Sequence, residues 1–162
     1  MAVIRDTTED DWQLLRGIRL RALRESPRAF MSEHDHEVRH GERQWRGLLR
    51  GDLWLLAFTD RNAARPVGVI AASREPPGGE PFISALWVDP GHRRQGIARG
   101  LIQAAVDRAA ARGATAVSLW VLDGNDVARA CYLAAGFAGT GQSQRVPGSP
   151  GTQEWRMRRR IG

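Results

Sequence analysis

The segment Ser84-Ala-Leu-Trp-Val-Asp-Pro-Gly-His-Arg-Arg-Gln-Gly-Ile-Ala-Arg-Gly-Leu-Ile102 decides the fold of this chain. Leu86 to Val88 close an apolar run that is typical of a buried strand. The next three residues, Asp-Pro-Gly, end that strand. A helix is then predicted up to Gly113, because apolar residues recur at spacings of three and four and define one face: Ile97, Leu101, Ile102, Ala105, Val106 and Ala109.

The turn between this strand and this helix has the composition of an anion-binding site. The first turn of a helix carries N–H groups that have no partner inside the helix, together with a partial positive charge. Gly96 and Ala98 have almost no side chain, so an anion can approach those amides closely. Arg93, Arg94 and Arg99 add positive charge around the same point. These features predict a diphosphate-binding turn.

A second strand, turn and helix follow directly. Residues 116–122 are apolar and rich in β-branched side chains, which indicates a strand. The turn that follows contains Asn125, a good helix N-cap, and a helix is predicted over residues 127–135, closed by Gly136 before Phe137. Asn125 and Tyr132 are seven residues apart, or two helical turns, so both are expected on one face.

In this order and at this spacing, the two motifs resemble those of the GNAT superfamily of N-acetyltransferases. The acetyl-coenzyme A signature of that family is Arg/Gln-x-x-Gly-x-Gly/Ala after a strand ending in Val, and Arg93, Gly96 and Ala98 match it after Val88. The close match runs from about residue 82 to about residue 139. The resemblance implies an α/β fold (mixed α+β), with a central twisted mixed β-sheet flanked by helices, and a single N-acetyltransferase domain over residues 1–162.

The resemblance also implies a function. It indicates an acetyl-CoA-dependent N-acetyltransferase that acetylates a primary amine of a small molecule, an antibiotic or a peptide N-terminus by direct attack in a ternary complex. The co-substrate acetyl-CoA is expected in a cleft between the strands that end near Val88 and Leu122. By resemblance, Tyr132 is the catalytic residue that protonates the leaving thiolate, a reasonable role for a phenol. The residues expected to bind the cofactor are Leu86, Trp87, Val88, Arg93, Arg94, Gln95, Gly96, Ile97, Ala98, Arg99 and Asn125.

The acceptor and the general base are less defined. The resemblance places the acceptor pocket at residues 26–36 and 139–152, with Phe30, Met31, Glu33 and Trp120 as candidate lining residues. Core packing or a solvated loop explains each of them equally well. Where some family members carry a Glu, this chain has Phe82 and Trp120, so no base is assigned. Glu33, Glu37 and Glu80 remain alternatives that would act through water.

Two other functions compete with this assignment. Asn125 could act only as a helix cap and Tyr132 only as a core aromatic, in which case the chain would be a non-catalytic CoA-binding module. The run from His36 through Glu37 to His40 matches His-Glu-x-x-His, the pattern of zinc hydrolases. That run is polar on every side and is followed by Gly41, so a charged surface segment is favoured and no metal is predicted.

Composition and charge narrow the classes of function that remain. The 162 residues carry a net charge of +6, with a pI of about 11.2, and all 24 basic residues are Arg. A catalytic Lys is therefore excluded. The scattered arginines do not suggest nucleic-acid binding, and no apolar run approaches a membrane span. The single cysteine, Cys131, rules out an internal disulfide, so a cytoplasmic protein is expected. A homodimer is an expectation from the family alone.

Local patterns predict the remaining elements. Strands are predicted at residues 3–5, 53–59, 66–74 and 154–157, and helices at about 12–25 and 39–50. A turn is predicted at residues 60–62. Residues 139–151 are rich in Gly, Ser and Pro and are interpreted as a flexible loop. The arginines from Arg156 to Arg160 are interpreted as a solvated tail.

Overall fold

The computed structural model describes residues 2–27, 34–59 and 64–162. Phe30, Met31, Glu33 and the turn predicted at residues 60–62 lie outside the described residues. The strands are β1 (Ala2–Asp6), β2 (Asp52–Thr59), β3 (Gly68–Ser73), β4 (Phe82–Val88), β5 (Ala116–Leu122), β6 (Ala138–Arg145) and β7 (Gln153–Arg160). The helices are α1 (Trp12–Glu25), α2 (His34–Glu37), α3 (Glu42–Gly51), α4 (Ile97–Ala111) and α5 (Asp126–Ala134).

The strands form a seven-stranded sheet in the order β1-β2-β3-β4-β5-β7-β6. Neighbouring strands are antiparallel except for β4 and β5, which are parallel. This parallel pair is joined by the crossover helix α4, as parallel strands require. The mixed α/β sheet flanked by helices that the sequence predicts is therefore confirmed.

Helices cover both sides of the sheet. On one side, α4 and α5 pack against the sheet, and all six apolar residues predicted for the inner face of α4 are buried. On the other side, α1 and α3 pack against β2 and β3, with Trp45 and Leu49 of α3 buried. Within the described ranges, no helix is long and apolar enough to cross a membrane.

The C-terminal region differs from its prediction. The segment interpreted as a flexible loop begins with strand β6, and the arginines interpreted as a solvated tail lie within β7, between β5 and β6. Trp155 and Met157 face the core while Arg156 and Arg158 face the other side, so the strand alternates as its position requires. Every residue of β6 is exposed, which explains why its polar sequence carries no apolar strand pattern.

The decisive irregularity lies in β4. Val69 pairs with Trp87 and Ala71 pairs with Ser84, so β4 has one extra residue relative to β3 and forms a bulge. Within that bulge Ala85 adopts a φ of 58°, which is rare for a residue with a side chain. Toward β5, pairing stops after Phe82↔Ser118 and Ile83↔Leu119. The two parallel strands therefore diverge over the rest of their length and open a cleft.

Candidate active site

The cleft between β4 and β5 is the natural candidate for the site. Ligands of α/β sheets commonly bind at the carboxyl ends of parallel strands that have separated. At its wide end the cleft opens into a cavity of about 710 Å³, lined by Glu25 to Pro27 from the end of α1 and by Leu122 to Asn125 from the end of β5. Toward β5, the backbone from Leu86 to Val88 has no strand partner within the described residues. The cleft forms where the sequence predicts it.

The predicted diphosphate turn lies at one end of this cleft. A single 3-10 turn, Pro90–His92, leads through Arg94 and Gly96, both with left-handed backbone (φ of 62° and 81°), into the N-terminus of α4. A β-carbon at Gly96 would meet no atom within 4 Å, so the amides at this helix end are open to an incoming group. Arg94, Gln95, Gly96 and Arg99 are exposed, Ala98 is half-buried and Ile97 is buried.

Arg93 plays a different part from its neighbours. Its Nε donates to the carbonyl oxygen of Val88 at 2.9 Å, and its Nη2 lies 3.0 Å from the carboxylate of Glu25. The guanidinium thus joins the turn to the end of β4 and to the end of α1. The backbone N–H of Arg93 is also engaged, at 3.5 Å from the carbonyl oxygen of Pro90, so the main part of Arg93 is to order the turn.

Glu25 is a residue at the site that the sequence did not single out. Its carboxylate accepts hydrogen bonds from the Ser26 hydroxyl and from the indole of Trp87, the latter at 2.9 Å. The Ser26 hydroxyl, followed by the Trp87 indole and the Arg93 guanidinium, lowers the pKa of Glu25. Its partners lie up to 68 residues away in sequence, so no local pattern points to this role.

Asn125 lines the wide end of the cleft, and Tyr132 lies in α5, the helix that begins directly after Asn125. Tyr132 is 9% exposed and packs edge-on against Phe137, with ring centroids 5.9 Å apart. Burial raises the pKa of the Tyr132 phenol, so the group keeps its proton at neutral pH. Asn125 is the N-cap of α5, and its Oδ1 accepts from the N–H of Ala128 at 3.2 Å. Asn125 therefore precedes the helix and does not share a helix face with Tyr132.

Burial of Cys131, next to Tyr132 in α5, raises the pKa of its thiol. A raised pKa disfavours the reactive thiolate. This favours a structural role for Cys131 over a catalytic one.

A polar network occupies the side of the sheet opposite α4, at the narrow end of the cleft. Arg158 binds both oxygens of Glu80, at 2.9 and 3.1 Å, and Arg156 binds Glu80 at 3.0 Å. Ser118, fully buried on β5, donates to the same carboxylate. The hydrogen bond from Arg158, together with that from Ser118, lowers the pKa of Glu80 to about 2. A carboxylate held in this state is a poor proton acceptor near neutral pH.

The zinc-hydrolase pattern does not have the geometry that such a site requires. Helix α2 ends at Glu37, before His40, so the two histidines do not lie one turn apart on a continuous helix. Glu37 is buried and forms a two-point ion pair with Arg19, at 3.0 and 3.1 Å, which also makes it unsuitable as a base. Within residues 2–27, 34–59 and 64–162, no three His, Cys, Asp or Glu residues are grouped as metal ligands.

Comparison with known proteins identifies related sequences and folds. The sequence profile of the acetyltransferase (GNAT) family matches residues 18–137. Solved structures with the same fold include a GNAT acetyltransferase from Streptococcus pneumoniae (TM-score 0.82, 18% identity, 100% of both chains covered). PaiA N-acetyltransferase from Thermoplasma acidophilum, in complex with coenzyme A, gives a TM-score of 0.75 at 18% identity over 99% of each chain. Ribosomal-protein-alanine N-acetyltransferase from Brucella melitensis gives 0.72 at 21% identity, over 98% of this chain and 99% of that one. Curated protein sequences give no significant match.

Proposed function

Because this chain belongs to the GNAT family of acetyltransferases, we propose that it transfers the acetyl group of acetyl-CoA to a primary amine by direct attack in a ternary complex. The observation that carries this proposal is the divergence of β4 from β5 directly beside the open N-terminus of α4. The divergence of the strands leaves a slot for an extended chain, and the N-terminus of α4 offers backbone amides to an anion. Acetyl-CoA combines these two chemical features, a pantetheine arm and a diphosphate.

The residues of the cleft fit this co-substrate. The exposed turn from Arg94 to Arg99 would bind the diphosphate through backbone N–H groups, helped by positive charge and by the helix dipole. The unpaired backbone edge of β4, from Leu86 to Val88, would bind the pantetheine amides as an adjacent strand would. Asn125 lines the wide end of the cleft and would contact the arm there while it caps α5.

The chemistry needs an oxyanion-stabilising donor and an acid. Acetyl-CoA supplies an activated thioester carbonyl to the site. As the amine nitrogen bonds to the acetyl carbon, a backbone N–H of β4 near Val88 would stabilise the negative charge that develops on the carbonyl oxygen. As the carbon–sulfur bond breaks, Tyr132 would donate its proton to the sulfur. Because burial raises the pKa of this phenol, it reaches this step in its protonated form.

Two carboxylates beside the cleft, those of Glu80 and Glu25, are poor candidates for a general base. Glu80 has a pKa of about 2, and the pKa of Glu25 is also lowered, because both accept hydrogen bonds from several donors. The acceptor amine would therefore react in its neutral form and release a proton to water as the amide forms, and water would return one proton to the Tyr132 phenolate. This requirement favours amines of modest basicity, such as peptide α-amines with a pKa of about 8, over lysine side chains with a pKa of about 10.4.

Calorimetric titration with acetyl-CoA, followed by a thiol-release assay with amine acceptors, tests the proposal. We expect micromolar binding and acceptor-dependent release of CoA. Binding without release for any amine would identify a non-catalytic CoA-binding module instead, and failure to bind would remove the coenzyme site.

Tyr132→Phe tests the acid directly. It removes one hydroxyl and keeps the ring packed against Phe137. We expect kcat to fall by about 10²- to 10⁴-fold, with unchanged acetyl-CoA affinity. Full activity in this variant would eliminate Tyr132 from the mechanism.

A further inference from the structure

The sheet presents a distinctive surface at the narrow end of the cleft, on the side opposite α4. We call it the aromatic–arginine face, formed by Phe82, Ser118, Trp120, Arg156 and Arg158. Phe82 pairs with Ser118 at the last point where β4 and β5 are joined, and Trp120 pairs with Arg156 across β5 and β7. All five residues therefore lie next to one another on adjacent strands, directly beside the point where the cleft opens.

Two parallel aromatic rings form the apolar part of this face. The rings of Phe82 and Trp120 are stacked, 6.5 Å between centroids and only 4° from parallel. Both side chains are half-buried, so the pair keeps accessible ring surface. The guanidinium of Arg156 lies 5.6 Å from the centroid of Phe82, so the position that a cation would take over this ring is already filled.

The cationic part of this face is rigidly held. Arg156 donates to Ser118, to Glu80 and, at 3.1 Å, to Gln142. Arg158 uses Nε and Nη2 on Glu80, which leaves its Nη1 group without a partner among the described residues. Guanidinium groups that are already ordered lose little entropy when they bind a further anion.

The charges of this face do not cancel. Two guanidinium groups share one carboxylate, that of Glu80, so one positive charge remains uncompensated. The next residues on the same side of β7 are Glu154 and Arg160, which leave the balance unchanged. A group that carries a negative charge is therefore attracted to this face, and a second positive charge is repelled.

Among the residues that the structure describes, the side of the sheet that carries the aromatic–arginine face leaves the more open route to a thioester in the cleft. On the other side of the sheet, α4 and α5 pack against β4, β5 and β7 and fill the space with core residues. On the side of the aromatic–arginine face, α1 and α3 pack against β2 and β3, away from β5 and β7. An amine that enters from this side passes over the stacked rings.

We propose that the acceptor is a primary amine joined to a flat apolar group and to a carboxylate, in the manner of a short peptide or amino-acid derivative with an aromatic residue beside its α-amine. The flat group would lie against Phe82 and Trp120, and the carboxylate would face Arg156 and Arg158. This inference rests on the proposed function and specifies its acceptor. Polycations such as polyamines and aminoglycosides are the class that the face excludes.

Three dipeptide probes with the same kind of α-amine test this assignment. Phenylalanyl-glycine carries the ring and the carboxylate, phenylalanyl-glycinamide lacks only the negative charge, and cyclohexylalanyl-glycine lacks only the planarity of the ring. With acetyl-CoA at saturation, we expect kcat/KM for phenylalanyl-glycine to exceed that for the amide by about tenfold or more, the range expected for a hydrogen bond to a charged group. The cyclohexyl probe should be several-fold weaker than phenylalanyl-glycine.

Arg156→Met and Arg160→Met form a matched pair of variants. Each removes one arginine from the same side of β7, but only Arg156 contacts Phe82 and the Glu80 network. We expect the preference for the carboxylate probe to fall toward unity in Arg156→Met and to persist in Arg160→Met. Acetyl-CoA affinity should be unchanged in both variants, which shows that the fold is intact.

The outcomes separate two failures. If the protein binds acetyl-CoA, three results would overturn the acceptor assignment and leave the coenzyme site intact. These are no turnover of any probe, equal turnover of the carboxylate and the amide, and an unchanged preference in Arg156→Met. Absence of acetyl-CoA binding would overturn the proposed function itself.

Discussion

Substitution of Gly96 by alanine separates binding of the coenzyme from stability of the fold. Gly96 has a φ of 81°, and a β-carbon built there meets no protein atom within 4 Å. The substitution therefore creates no clash, and its cost to folding is the strain of placing an L-residue in the left-handed region, about 1 kcal/mol. A phosphate that approaches the same amide would be displaced by the new methyl group.

The expected loss of affinity is larger than the loss of stability. A hydrogen bond between a backbone N–H and a charged phosphate oxygen contributes about 1.5 to 3 kcal/mol, which corresponds to about ten- to 150-fold in Kd. We therefore expect the Kd for acetyl-CoA, measured by calorimetry, to rise at least tenfold in Gly96→Ala. Urea denaturation of the free protein should show a decrease of only about 1 kcal/mol in the free energy of unfolding.

Gly148→Ala is the matched control. Gly148 has nearly the same backbone conformation, a φ of 76°, and equally open surroundings, but it lies in the loop between β6 and β7. Its substitution should lower stability by the same amount and leave acetyl-CoA binding within twofold of the parent protein. Equal affinity in the two variants would refute the assignment of the diphosphate to the turn at Gly96.

A glutamate at position 96 sharpens the same test. A carboxylate at the N-terminus of α4 interacts favourably with the helix dipole, by about 0.3 to 1 kcal/mol, so Gly96→Glu should be no less stable than Gly96→Ala. The same negative charge repels a diphosphate, so its affinity for acetyl-CoA should be the lowest of the series. From Gly96→Ala to Gly96→Glu, the affinity for acetyl-CoA is thus expected to fall while stability is retained or rises. General misfolding cannot produce this combination.

Two further predictions concern ion pairs. The pKa of Glu80 is about 2 in the folded protein and 4.5 without its partners. The charged carboxylate therefore stabilises the fold above pH 4.5, and this stabilisation is lost as the pH falls toward 2. Because the group is partly exposed, we expect the contribution to the free energy of unfolding to be about 2 kcal/mol. In urea denaturation, Glu80→Gln should therefore be less stable than the parent protein at pH 7, with a difference that shrinks at pH 3; a difference independent of pH would assign the effect to packing. Arg93→Met should lower the unfolding free energy by about 1 kcal/mol, because the Arg93 side chain bonds to Val88 and Glu25. Arg99→Met should instead weaken acetyl-CoA binding more than it changes stability. A larger loss of stability in Arg99→Met and a larger loss of acetyl-CoA affinity in Arg93→Met would exchange the two roles.

The sequence predicts the parts of this fold that depend on local pattern. The inner face of α4 and the strand-turn-helix order around Gly96 follow from residue spacing, and the structure confirms both. Strand β6 is different, because all of its residues are exposed and its existence depends on pairing with β7. The partners of Glu80 are likewise invisible to local reading, since Arg156 and Arg158 lie more than 70 residues away in sequence.

The cleft shows why local sequence patterns do not predict the geometry of the site. Ala85 carries a left-handed φ of 58° that the sequence does not signal, because such positions usually hold glycine. The conformation costs about 1 to 2 kcal/mol and persists only where the surrounding structure enforces it. Here β3 fixes β4 on both sides of the bulge, through Ser84 and Trp87, and β5 leaves β4 at the same level. The strain thus falls at the point where a continuous parallel ladder would otherwise close the cleft. A regular β4 would avoid the strain at Ala85, but it would leave no unpaired β4 edge for the coenzyme that we propose to bind there.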